Sequence, residues 1–159
     1  MDQVDICIGP VEDWGTLHAL LVLCFAGMEG RIDPPSSLGS MTPESLRDKA
    51  DAETLVTIWH DGILSGCCFL ADTGRSIYLG KIAMLPERRG YGLLRRLVAE
   101  VDHIARSRGR PVLELSTRIE LVENHAIFAR LGFREVARTA HPGYDRPTSV
   151  AMERPVPAE

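Results

Sequence analysis

Leu79-Gly80-Lys81-Ile82-Ala83-Met84-Leu85-Pro86-Glu87-Arg88-Arg89-Gly90-Tyr91-Gly92-Leu93-Leu94 is the stretch that decides how the rest of the chain is read. It has the form of a strand, a glycine-bearing turn and the opening of a helix. A helix N-terminus presents unpaired N–H groups and a partial positive charge, and the two together make an anion site. Glycine at 90 and 92 removes the side chains that would hold a phosphate away from the backbone. Arg88 and Arg89 add guanidinium groups able to fork around phosphate oxygens. Two other phosphate cradles do not match. The dinucleotide fingerprint Gly-x-Gly-x-x-Gly needs glycine where Arg95 stands, and the P-loop needs a Gly-Lys-Ser/Thr that the chain lacks.

Outward from that turn the elements alternate. On the N-terminal side, Val4–Ile8 reads as a strand and 12–25 as a helix, with Trp14, Leu17, Leu20, Leu21, Cys24 and Phe25 at three- and four-residue spacing. A loop rich in glycine, proline and serine covers 27–41. Thr42 caps a short helix with Pro43 at its first position, ending near Ala52. Then 55–59 and 63–70 form a hairpin around Asp61-Gly62, a type I′ signal, and a second turn at 72–75 leads into a third strand over 77–85. On the C-terminal side, a helix runs over 90–107 with Leu93, Leu94, Leu97, Val98, Val101, Ile104 and Ala105 on one face. A strand over 112–116, a helix over 120–131 ended by Gly132, and strands over 133–139 and 148–153 complete the order βααβββαβαββ.

With 159 residues the chain is one domain. We expect that domain over 1–154 and a disordered tail over 155–159. Its longest apolar run, Ala19 to Met28, is too short for a membrane span of ~20 residues. The acidic N-terminus lacks the basic and apolar regions of a signal peptide. The expectation is a cytoplasmic protein with no membrane partner. Cys7, Cys24, Cys67 and Cys68 form no Cys-x-x-Cys, and no His-Glu-x-x-His is present, so no metal site is expected. The net charge of −4 argues against nucleic acid as a partner. The charge is uneven, however. Between Lys81 and Arg110 eight basic residues face Glu87, Glu100 and Asp102, which leaves this segment at +5 and the rest at −9. A basic segment on an acidic chain fits a discrete anion.

Arg89-Gly90-Tyr91-Gly92-Leu93-Leu94 resembles the Gln/Arg-x-x-Gly-x-Gly/Ala turn of the GNAT acetyltransferases, and Met84-Leu85-Pro86 is similar to that family's hydrophobic-x-Pro lead-in. Ala126-Ile127-Phe128-Ala129-Arg130-Leu131-Gly132-Phe133 is similar to its second signature. The element order also agrees, so the resemblance covers nearly the whole chain. It implies an α+β fold in α/β/α layers, with a mixed, mostly antiparallel sheet flanked by helices. It further implies a strand before the turn that bulges and splays from its parallel neighbour. Acetyl-CoA is then the co-substrate. Its pantetheine arm would pair with Ile82, Ala83 and Met84, its pyrophosphate would rest on Arg89, Gly90, Tyr91, Gly92, Leu93 and Leu94, and a backbone N–H near 82–84 would meet the developing oxyanion. The implied activity is direct acetyl transfer to a primary amine, on a small molecule or a peptide, and a homodimer is the candidate assembly. A non-catalytic acyl-CoA-binding module is the alternative, and an anion-binding regulatory module a third reading.

Three departures from the family pattern stand out. Leu94 replaces a preferred Gly or Ala. Leu121 replaces the Asn that often opens the second signature, and Asn124, one helical turn on, is the candidate substitute. Phe128 replaces the Tyr that commonly protonates the thiolate. Tyr144 is the candidate replacement acid, ahead of His125, Ser116 and water. On the acceptor side, Glu29 and Asp33 are candidates to hold or deprotonate a cationic amine and Arg31 to hold a carboxylate. Glu114 is a further general-base candidate.

Overall fold

A computed structural model describes residues 3–158. Met1 and Asp2, which belong to the acidic N-terminus, and Glu159, the end of the expected tail, lie outside the described residues. The strands are β1 (Val4–Ile8), β2 (Thr54–His60), β3 (Ile63–Asp72), β4 (Ser76–Met84), β5 (Val112–Arg118), β6 (Arg134–Thr139) and β7 (Ser149–Pro155). The α-helices are α1 (Trp14–Phe25), α2 (Pro43–Ala52), α3 (Leu93–Ser107) and α4 (Val122–Arg130). The order is the one expected. The strands form one sheet, β1-β2-β3-β4-β5-β7-β6, antiparallel except where β4 meets β5.

Local chemistry accounts for the boundaries. Asp13 accepts from the Thr16 N–H and caps α1 at its N-terminus. Thr42 and Ser45 form a reciprocal capping box at α2, with Pro43 at its first position. Asp61 and Gly62 both have positive φ, 52° and 80°, as a type I′ turn demands. Gly92, at φ 73°, caps α3. At the C-terminal end β7 pairs with β5 as far as Pro155, the Val156 N–H donates to the Pro111 carbonyl, and Arg106 donates to the Pro157 carbonyl.

The sheet separates two apolar layers. Leu17, Leu20 and Leu21 of α1 and Leu46 of α2 pack with Leu55, Cys67 and Phe69 on one face. Leu97, Val98 and Val101 of α3 and Phe128 of α4 pack with Cys68, Leu70, Ile77 and Leu113 on the other. The adjacent Cys67 and Cys68 therefore point into opposite layers, and burial pushes both thiols up in pKa.

Two features of β4 shape the centre of the sheet. Opposite the single residue Cys68, β4 carries two, Lys81 and Ile82, and Lys81 has φ 50°, so the strand bulges there. Its parallel pairing with β5 runs only from Ser76–Val112 to Leu79–Leu115. Beyond Leu79 the two strands part. On the opposite edge β4 is held close to β3 at Gly66, where a Cβ would lie 2.7 Å from the Ala83 carbonyl oxygen and 2.8 Å from Met84 Cε. Gly66→Ala is therefore expected to destabilise the protein by about 1–3 kcal/mol. Thermal denaturation checks this as a fall of roughly 2–12 °C.

Candidate active site

The turn after β4 is built as an open cradle. Pro86–Arg88 make one 3₁₀ turn, and the chain then passes through Gly90 (φ 90°) and Gly92 (φ 73°) into α3. A Cβ at either glycine would meet nothing within 4 Å. Their positive φ angles are nonetheless adopted at little cost only by glycine. Tyr91, between them, lays its ring against buried His60, centroids 5.1 Å apart. Leu93 is buried with Ile58 and Met84, and Leu94 packs on the same cluster. The departure at Leu94 thus points its side chain into the core rather than into the cradle.

Where β4 and β5 part, a cleft of about 290 Å³ opens. Gly80, Lys81 and Ile82 line it from β4, and Ser116, Thr117 and Arg118 from β5. Leu121, the N-cap of α4, with Asn124 and Phe128 of that helix closes one side, and Phe25, Met28, Ser36 and Ser37 the other. His141 and Ser149 enter from the last hairpin. Asn124 and Phe128 lie four residues apart on one helical face. Asn124 Nδ2 donates to Thr117 Oγ1 at 3.5 Å, and the Phe128 ring stands edge-on to Phe133. Of the strand residues read from the sequence, Ile82 lines the cleft, while the Ala83 and Met84 side chains are buried.

The 27–41 loop is a brace across the cleft. Asp33 accepts from the Tyr144 hydroxyl (2.6 Å) and from Arg146 (2.8 Å), and its N–H donates to Glu120. Arg118 donates to the carbonyls of Pro34 and Pro35, and Arg31 pairs with Glu123 at 2.7 Å. That pairing draws the Glu123 carboxyl below its usual range. The hydrogen bond to Asp33, with burial second, raises the Tyr144 hydroxyl above its usual value.

These contacts redirect several candidates. Tyr144 is not among the residues lining the cleft, and its proton is committed to Asp33. Glu29 lines a separate, mainly apolar compartment of about 490 Å³ that shares Phe25, Met28 and Ser36 with the cleft. Arg31 and Asp33 serve the brace. Glu114 sits where β4 and β5 are still paired, bonded to Ser76 and Arg75, and His125 bonds the Arg118 carbonyl. Ser116 does line the cleft.

Sequence reasoning missed three residues that the structure brings together here: Lys81, Arg118 and His141. Lys81 Nζ donates to Ser37 Oγ at 3.0 Å. Burial lowers its pKa, and the like charges of Lys49 and Arg118 lower it further. His141 Nδ1 lies 2.5 Å from Thr148 Oγ1, which leaves Nε2 as the ring's second site. No described residue lining the cleft is acidic.

A model of the acetyltransferase (GNAT) family matches residues 14–133. No curated protein matches the chain by sequence. Among solved structures, the ribosomal-protein-S18-alanine N-acetyltransferase of Escherichia coli is 18% identical with a TM-score of 0.70, over 100% of this chain and 96% of that one. The PaiA N-acetyltransferase of Thermoplasma acidophilum, crystallised with coenzyme A, is 16% identical with a TM-score of 0.77, over 96% and 99%. An IAA acetyltransferase of Bacillus cereus is 16% identical with a TM-score of 0.67, over 96% and 99%. At these identities the likeness is one of fold.

The brace is exposed, so its ion pair contributes at most about 1 kcal/mol. Asp33→Ala is expected to move the melting temperature by no more than about 2–4 °C. The same change is expected to raise the rate of tryptic cleavage after Arg31 several-fold, read by mass spectrometry of short digests.

Proposed function

The chain belongs to the GNAT acetyltransferase family, and from that premise we propose that it moves the acetyl group of acetyl-CoA to a primary amine by direct attack. The observation that carries this reading is the junction of two features: a cleft opened by the parting of β4 from β5, and an open glycine cradle at the end of the same strand. The cradle fits a pyrophosphate. Nothing stands where the Cβ atoms of Gly90 and Gly92 would be, the N–H groups opening α3 are without helical partners, and Arg88 and Arg89 flank them.

In this reading Arg89 to Leu94 hold the pyrophosphate through the main chain, and the free edge of β4 at Ile82 to Met84 receives the pantetheine arm. Acetyl-CoA supplies an electrophilic thioester carbonyl and a thiolate leaving group. The protein must then provide a proton acceptor for the amine and donors for the developing oxyanion. A main-chain N–H at the bulge is the oxyanion donor. Asn124 stands in the cleft as the polar residue of α4.

His141 is the proton acceptor in this scheme. Thr148 is buried and holds Nδ1. With the Thr148 proton given to the Thr139 carbonyl, Nδ1 keeps its hydrogen and Nε2 carries the lone pair. Tyr144 and Glu29, the acid and base expected from the sequence, take supporting places: the first ties down the brace and the second lines the adjoining compartment. Phe128 cannot donate a proton, so water protonates the departing thiolate.

Three measurements test the reading. Acetyl-CoA at 100 times its Kd adds about 2.7 kcal/mol of stability, which raises Tm by roughly 5–11 °C. Gly92→Val is expected to weaken acetyl-CoA binding at least tenfold by calorimetry with circular dichroism unchanged. Unchanged binding would place the anion elsewhere. His141→Gln is expected to lower kcat by ~10²-fold or more with acetyl-CoA affinity unchanged. Equal turnover of variant and wild type removes His141 from the mechanism.

A further inference from the structure

We propose that the amine acceptor is a small molecule that also carries a carboxylate, as a free amino acid does, and that Lys81 is the residue that recognises that carboxylate. The inference rests on the acetyl-transfer reading of the same cleft and names its substrate class.

The charge of the cleft points this way. Lys81 and Arg118 bring two cations to its walls, and no described lining residue is acidic. A cationic amine alone finds no counter-charge there. An acceptor whose own carboxylate meets the cations brings its compensation with it. The two cations are not equivalent. The Arg118 guanidinium already donates to the Pro34 and Pro35 carbonyls and holds the brace. Lys81 donates to a neutral hydroxyl, Ser37 Oγ. Burial and its cationic neighbours Lys49 and Arg118 both disfavour its charge. A carboxylate at Nζ offsets these effects. Ser37 supplies a hydroxyl donor beside it.

The position of Lys81 is also unusual for this chain. Eighteen Lys and Arg residues include only two lysines, Lys49 and Lys81. Lys49 is used in a helix-end pair with Glu53. Lys81 occupies the bulge, with φ 50°, next to the strand segment assigned to the pantetheine arm. A side chain rooted there adjoins the place that the acetyl-transfer reading gives to the thioester. A cleft of about 290 Å³ shared with that group has room for a small acceptor, and an amine and carboxylate separated by one or a few carbons match that scale. Arg31, the residue the sequence suggested for a carboxylate, is paired with Glu123 instead.

The test compares amino acids with their primary amides, which keep the amine and lose the anion. Free-thiol release is measured for matched pairs of α-amino acids, and for β-alanine and 4-aminobutyrate with their amides. Wild type is expected to favour the acids at least tenfold in kcat/KM. Lys81→Met is expected to reduce that preference to within threefold, while Lys81→Arg keeps most of it. A second readout needs no turnover. After reductive ¹³C-methylation, which preserves lysine charge, the Lys81 resonance is expected to move when acids are added with CoA, and to stay when amides are added. Lys49 is the internal control. Amides used as well as acids by the wild type, or an equal loss on both by Lys81→Met, or a Lys81 signal unmoved by every acid, overturns the proposal. Failure of the acetyl-transfer reading is separate: it is the absence of both thermal stabilisation by acetyl-CoA and CoA release with any amine.

Discussion

Parallel pairing between β4 and β5 lasts for four residue pairs and then stops, because β4 carries an extra residue at Lys81–Ile82 and turns away. Both edges of that strand matter. Toward β3 it is clamped at Gly66, where there is no room for even a methyl group. Toward β5 it is left without a strand partner. Backbone groups freed in this way must find other partners, and an extended substrate arm lying in the gap is one that a sheet edge is built to accept. The glycine cradle lies at the end of the same strand, so in the proposed reading one irregularity in the sheet serves both the arm and the phosphate.

The cleft that results has its cations on the strand side, and Leu121 and Phe128 give it an apolar floor. This division follows from the two layers of the core. Phe128 belongs to the layer under α3 and α4, and with buried Leu121 it reaches the cleft from below as an extension of that packing. The polar side chains of the cleft come from irregular or terminal backbone positions: Lys81 from the bulge, Arg118 from the last residue of β5, beyond its pairing with β4, and His141 from the turn after β6. The brace over 27–41 depends in turn on Arg118 and on Asp33, so the acceptor side and the roof share one set of hydrogen bonds.

Phe128 illustrates how a lost group is absorbed. Its ring continues the Phe133 contact and seals the cleft floor, a role that a tyrosine at this place would share. What the phenylalanine cannot do is move a proton. In the geometry observed, Tyr144, the tyrosine that the sequence offers in its place, is spent on Asp33. Among the described residues, the titratable side chain that lines the cleft from outside β4 and β5 is His141.

The element order, the capping of α2, the Asp61-Gly62 hairpin and the Gly90/Gly92 turn were legible in the chain itself, because each is written in contacts within a few residues or in a repeating apolar face. The family followed from the same local signals. The chemistry of the acceptor side was not legible, because it is assembled across long separations. Asp33 meets Tyr144 and Arg146 more than a hundred residues away, which removes from the cleft two of the residues that their types and loop placement recommended. Lys81 stood inside the most informative stretch of the sequence and still could not be read, because strand alternation assigns it a face only if the strand is regular. The bulge that breaks that regularity is set by the pairing of β4 with β3, and pairing between separate strands is a property of the tertiary structure alone.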